Sequence, residues 1–170
     1  MTTTTNDVIQ LILDDHRRFE DLFRTLRDRS SDRRKALDEL AHLLVGHAEA
    51  EESKVYPALR RYKQVDDHEV EHGAEEHAEG NIALLALMEV EDTESDEWEG
   101  KLEELVSAIN HHLDEEERTI LNDARETVSD ERRAELGEEF VTERDARIDA
   151  GCGTVEYVRE LVERTKDRVD

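Results

Sequence analysis

The stretch HHLDEEER, residues 111–118, places two adjacent histidines ahead of a run of acids on what reads as one helix. Neighbours on an α-helix point about 100° apart, so only one of the two can face a core squarely. The choice between them sets the register of the helix. It also raises the question of why a core would hold a histidine and a carboxylate.

The apolar seam around this stretch runs Leu102, Leu105, Ile109, His112, Glu116, Ile120. Four residues turn a helix by about 400°, so His112 and Glu116 sit only about 40° apart on one face. His112 and Glu116 therefore face inward and His111 sits to the side. Three earlier seams break in the same way. One runs Ile9, Ile12, His16, Phe19, Phe23 and another Leu40, Leu44, His47, Glu51, Val55, while a third runs Val70, Gly73, His77, Gly80, Leu84. Each carries a histidine where an apolar residue is expected, and two add a glutamate four residues later.

The periodicity predicts helices over most of the chain. The first spans about Asp7 to Asp28, and Ser30 or Ser31 offers the N-cap of the second. Pro57 lacks a backbone donor and should bend or interrupt that second helix near Tyr56. A third helix starts near Asp66. The loop EDTESDE follows, with Ser95 as the cap of the fourth. With one Pro, seven Gly and few β-branched runs, strands have little support. The fold class is all-α, an antiparallel up-down four-helix bundle over residues 1–128. Residues 129–170 form a C-terminal helical extension with apolar repeats at Leu136, Phe140, Val155, Val158, Leu161 and Val162. Those residues should pack against the bundle or against a second subunit, which would make a homodimer.

Composition narrows the function classes. Asp and Glu number 47 against 23 Lys and Arg, for a formal charge of −24. No basic block exists to hold a nucleic acid, and an anionic membrane surface would repel the chain. Of the bases only five are Lys. An acidic, lysine-poor surface resembles that of proteins from salt-loaded cytoplasm, where screening weakens self-repulsion. MTTTTNDVIQ has neither the basic start nor the apolar core of a signal peptide. No apolar run approaches the roughly 18 residues a membrane span needs. The single Cys152 fits a reducing cytoplasm, and Gly151-Cys152-Gly153 reads as a turn.

A lone histidine on a seam is usually a hydrogen-bonded core residue, and a lone glutamate there is often a boundary residue. Four imidazoles and two carboxylates at one level of a bundle are different. Burying several ionisable groups costs several kcal/mol each unless they are paired or bind a metal. A dinuclear metal site relieves that cost, with carboxylates bridging and imidazoles completing each ion.

The order H…HxxxE…H…HxxxE resembles the hemerythrin-like family with its HHE cation-binding signature. The segments DDHRRFEDLF, HAEAEESKVYPAL, EEHAEGNIALLALM and HHLDEEER carry the resemblance. It implies His16, His47, His77 and His112 as terminal ligands of two irons, bridged by Glu51 and Glu116. Nitrogen with hard oxygen suits iron, with manganese able to replace it. Oxygen-carrying hemerythrins have a further histidine four residues before the one matching His77, where this chain has Gly73. They also carry an Asp five residues after the fourth-helix histidine, whereas His112 to Glu116 is four. His72, His111 or a solvent ligand could fill the gap left at Gly73, which otherwise gives one iron an extra exchangeable position. Tyr56 either donates to a bound oxygen species or packs above Pro57. The implied function is that of a non-haem di-iron protein binding or reacting with peroxide, O2 or NO. Binding or sensing of O2 or iron without turnover is the alternative, as is a bundle that metal merely stabilises.

Overall fold

The computed structural model describes residues 6–169, so residues 1–5 of the N-terminal stretch read above lie outside the described residues. Among those described, the chain is an all-α helical bundle with no strand. Its helices are α1 (Val8–Arg27), α2 (Arg33–Ala50), α3 (Tyr56–Leu59), α4 (Asp67–Met88), α5 (Asp96–Arg118), α6 (Ile120–Thr127), α7 (Asp130–Asp149) and α8 (Val155–Thr165). Among the described residues no helix is long and apolar enough to cross a membrane.

Short polar side chains start the long helices by accepting an otherwise unpaired first-turn N–H. Asp7, Asp66, Ser95, Ser129 and Thr154 do this for α1, α4, α5, α7 and α8. For α2 the cap is Asp32, which accepts from Lys35 N, and not Ser30 or Ser31. Ser30 is held instead by the Asp28 carboxylate, through both its N–H and its hydroxyl.

Pro57 is not what interrupts the second helix. The helix changes register before the proline is reached, in a π-helical turn over Glu51–Val55. There the Tyr56 N–H donates to the Glu51 carbonyl. A turn closed from residue 51 to residue 56 sets Tyr56 above Glu51. In an unbroken α-helix those two side chains would stand about 140° apart. The fourth seam is also broken, because α5 ends at Arg118 and α6 begins after Thr119. The Thr119 hydroxyl donates to the Glu115 carbonyl at this break.

α1, α2, α4 and α5 pack as a ring, each against the next and α5 against α1. Their apolar faces form two clusters. One gathers Phe19, Phe23, Leu40, Leu44, Leu84, Trp98 and Ile109, among others. The other gathers Ile9, Ile12, Val55, Tyr56, Val70 and Ile120. α1 leads from the second cluster to the first, α2 leads back, and α4 and α5 repeat the pair of crossings. The histidine of each helix falls at the changeover, so the polar layer lies between two apolar plugs.

The C-terminal segment is packed onto this ring, α7 against α1 and α2 and α8 against α4. Leu136 and Phe140 are buried in one cluster, and Val158 and Leu161 in the other. The turn between α7 and α8 has Gly151 at φ +85°, a conformation that favours glycine. A Cβ on Gly153 would come within 2.3 Å of His42 N. Between them Cys152 is buried and its thiol donates to the His42 carbonyl at 3.3 Å. Burial pushes that thiol up to about 11, which suits a structural turn and not a reactive cysteine.

Candidate metal centre

The six residues singled out on the seams converge. His16, His47, Glu51, His77, His112 and Glu116 are all buried, and their side chains form two adjoining groups able to hold metal ions. One group is Glu51, His77, His112 and Glu116, and the other is His16, His47 and Glu116. Glu116 belongs to both. Its Oε1 lies 3.2 Å from His16 Nε2, and its Oε2 lies 3.7 Å from His112 Nε2. Glu51 Oε1 lies 3.0 Å from His47 Nε2 and 3.3 Å from His77 Nε2.

These atoms do not satisfy one another. All four Nε2 atoms, both Glu51 oxygens and Glu116 Oε1 are buried without a hydrogen-bond partner, a group of orphans that a native interior does not tolerate without cause. Their spacing supplies the cause. Two donors each about 2.1 Å from a shared ion, at 90–110° to one another, stand roughly 3.0–3.4 Å apart. Three of the four observed separations are those of edges of a coordination shell, and the fourth, His112 to Glu116, is longer at 3.7 Å. The donor chemistry fits the iron or manganese that the sequence implies.

The other ring nitrogens are all taken, and by residues the sequence reading did not single out. His16 Nδ1 lies 3.2 Å from Glu117 Oε2, and His47 Nδ1 lies 2.8 Å from Asp15 Oδ2. His77 Nδ1 lies 3.0 Å from Glu52 Oε2, and His112 Nδ1 lies 3.1 Å from Glu76 Oε1. An ionised carboxylate only accepts, so each Nδ1 carries a proton and each Nε2 is turned inward. The four contacts run round the ring: α1 holds the histidine of α2, and the turn after α2 holds that of α4. In the same sense α4 holds the histidine of α5, and α5 that of α1. Each of these carboxylates stands immediately beside an inward-facing residue in sequence, in the pairs Asp15-His16, Glu51-Glu52, Glu76-His77 and Glu116-Glu117. That adjacency was the available signal.

Electrostatics follow from this crowding. Burial alone would drive the His47 imidazole down, but Glu51 and Asp15 outweigh it and lift it to about 10. His77 is lifted to about 10 in the same way, by Glu51 and Glu52. Burial would raise the Glu51 carboxyl, yet His47 and His77 hold it well below its usual range. Tyr56 is pushed well up by burial and by the Glu116 and Glu51 carboxylates, so it keeps its proton.

Tyr56 accounts for Gly73. The phenol donates to Glu116 Oε2 at 2.5 Å and its ring lies parallel to that of His77, with centroids 5.8 Å apart. A Cβ on Gly73 would meet the phenol oxygen at 3.1 Å. The Tyr56 phenol thus lies where a side chain at residue 73 would stand, and it supplies no imidazole in place of the histidine that the oxygen carriers have there. His72 and His111 do not supply one either. Their side chains are 44% and 63% exposed, and both approach Glu76 on the outside of the layer.

A bundle of helices that gathers buried imidazoles and carboxylates with unpartnered donor atoms is a metal-binding bundle. A family model described as Hemerythrin HHE cation binding domain matches residues 7–124, and the chain belongs to that family. No curated protein and no solved structure gave a match.

Proposed function

We propose that this chain is a non-haem di-iron protein whose buried centre binds and turns over a small oxidant: peroxide, O2 or NO. The observation that carries the reading is the set of four imidazoles. Each is fixed at Nδ1 by a carboxylate, and each aims an unpartnered Nε2 at Glu51 and Glu116. His16 and His47 would hold one iron and His77 and His112 the other, with Glu116 and Glu51 bridging. When bound, the irons supply redox chemistry and coordination positions for the oxidant.

The chain's own residues set the conditions. Two apolar clusters close the layer above and below, and the space beside His47, His77 and His112 is about 10 Å³, walled by Phe19, Leu44, Ile109 and Leu113. Room for about one water at most favours the smallest ligands over larger substrates. The Tyr56 hydroxyl is the one buried phenolic donor among the described residues beside this layer, placed to hold a proton next to Glu116. Residue burial keeps bulk water out, which limits loss of reactive species. The acidic surface and the single, buried Cys152 fit a reducing cytoplasm.

Anaerobic loading with Fe2+, metal analysis and an optical spectrum test the reading. Two irons per chain are expected, with peroxide consumption well above that of free iron. One ion or none per chain would remove the di-iron assignment. A stable, reversible O2 adduct without peroxide consumption would leave a binding or sensing protein in place of an enzyme.

A further inference from the structure

Three of the four carboxylates that hold the histidines are themselves backed by an arginine. Arg17 Nη2 donates to Glu117 Oε1 at 3.0 Å, Arg144 Nη1 to Asp15 Oδ1 at 2.7 Å, and Arg168 Nη1 to Glu52 Oε1 at 2.6 Å. Asp15 and Glu52 each give one oxygen to an imidazole and the other to a guanidinium, and Arg17 spans both oxygens of Glu117, one of which also faces His16. Glu76 breaks the pattern. Its Oε1 faces His112 Nδ1, but its Oε2 is buried without a hydrogen-bond partner, and among the described residues no arginine or lysine pairs with it. Two imidazoles stand there instead. His111 Nε2 lies 3.2 Å from Glu76 Oε2 and His72 Nε2 lies 3.8 Å from it.

We propose that His72, Glu76 and His111 form a third metal site, open to solvent, which takes one divalent borderline ion such as Zn2+. The ion does for Glu76 what the arginines do for the other three carboxylates. One donor atom from each of the three residues lies within 4.8 Å of the others. His72 and Glu76 are four apart on α4 and so share a face, and α5 brings His111 against that face. Two imidazole nitrogens and one carboxylate oxygen make a borderline donor set that holds Zn2+ more tightly than Fe2+. Three protein ligands with the histidines 44% and 63% exposed leave coordination positions to water, the mark of an exchangeable site and not a closed structural one. Neither contact is a hydrogen bond: His72 is too far from Glu76 Oε2 at 3.8 Å, and His111 at 3.2 Å leaves that oxygen unpartnered. They fit donors converging on a cation, with Glu75 Oε2 a further oxygen 3.5 Å from His72 Nδ1.

The existence of this site does not rest on the di-iron reading. Its influence on the inner centre does, because Glu76 is the shared group: an ion on Oε2 draws charge from the carboxylate that orients His112. Equilibrium dialysis of metal-free protein against Zn2+ separates the two claims. The exposed positions of His72 and His111 allow both to be changed without unfolding the bundle. The His72→Ala/His111→Ala variant is expected to bind one Zn2+ fewer per chain than the unmodified protein while keeping the ions of the inner layer. Iron-loaded protein should likewise take up one Zn2+ that the variant does not. Equal Zn2+ uptake by the two proteins overturns the outer site, whatever the inner layer binds. One ion on the unmodified protein and none on the variant would sustain the outer site and show that the inner layer does not take Zn2+, while the iron count of the loaded protein decides the inner reading. As a second check, His72→Gln/His111→Gln should lose the same ion, since neither amide can replace an imidazole as a strong ligand.

Discussion

The Tyr56 hydroxyl donates to Glu116 Oε2 at 2.5 Å while standing 3.1 Å from where a Cβ on Gly73 would lie. A donor on the turn after α2 and a missing side chain on α4 thus make one device. The glycine clears the space and the π-turn swings the phenol into it. Gly73→Ala should accordingly show opposite net effects in two backgrounds. In the unmodified chain the roughly 1 kcal/mol gained in helix propensity is offset by crowding against the phenol, which overpacking puts at about 1–3 kcal/mol. In Tyr56→Phe the nearest atom is gone and the substitution should be neutral or stabilising. Thermal melts of the four proteins measure the coupling, and additive effects would mean that Tyr56 and Gly73 do not share this space. Tyr56→Phe should retain iron but shift the optical spectrum, since Glu116 loses its donor.

The two histidines of HHLDEEER should separate cleanly. His112 is buried beside Glu116, whereas His111 projects outward to Glu76. His112→Ala is expected to lower iron to one ion or none per chain. His111→Ala should keep the iron pair and its spectrum. Equal iron loss from both would place His111 in the inner layer and reverse the register of α5.

The C-terminal segment should matter to the centre although it supplies no candidate ligand. Arg144 on α7 holds Asp15, which holds His47, and Phe140 packs edge-on against the His47 ring with centroids 5.3 Å apart. Arg168 acts in the same way through Glu52 on His77. Removing a group that orients a metal-binding histidine typically costs about 10–100-fold in metal affinity, and that range is expected for Asp15→Asn. Arg144→Gln and Arg168→Gln should show smaller losses, and together they should exceed either alone. Competition with a chromogenic chelator measures this. Unchanged affinity in Asp15→Asn would show that the carboxylate contact does no orienting.

The inner residues were legible in the sequence because α-helical spacing alone puts His47 with Glu51 and His112 with Glu116 on inward faces. Helix ends were legible wherever a cap follows local rules, as with Asp66 and Ser95. Two kinds of feature were not legible. The position of Tyr56 depends on a register change that begins at Glu51, and α-helical counting sends that side chain the wrong way. The carboxylates Asp15, Glu52, Glu76 and Glu117 act across helix boundaries, and on an acidic chain an extra Asp or Glu beside a ligand carries no contrast. Leu136 and Phe140 announced a packed extension, but nothing in their spacing said that Arg144 would reach Asp15.

The last prediction follows from the charge of the metal-free layer. His47 and His77 are lifted from their ordinary 6.5 to about 10, so the folded state binds their protons more tightly than the unfolded chain. That contribution is complete below about pH 6.5 and is lost as pH rises toward 10. Asp15, Glu51 and Glu52 are lowered from 3.8, 4.5 and 4.5, so their contribution is present above about pH 4.5 and is lost below it. Metal-free protein should therefore be most stable between about pH 4.5 and 6.5, and its Tm should fall from about pH 6.5 to 9. A high salt concentration screens the general repulsion of a −24 chain and leaves the buried pairs in force, so the fall should persist there. Bound metal takes the place of those protons. Loading at neutral pH should release protons into a weakly buffered indicator solution, and the Tm of loaded protein should hold or rise over the same range. A metal-free Tm that is flat or rising above pH 6.5 in high salt, or loading without proton release, would mean that His47 and His77 are already neutral when the layer holds no ion.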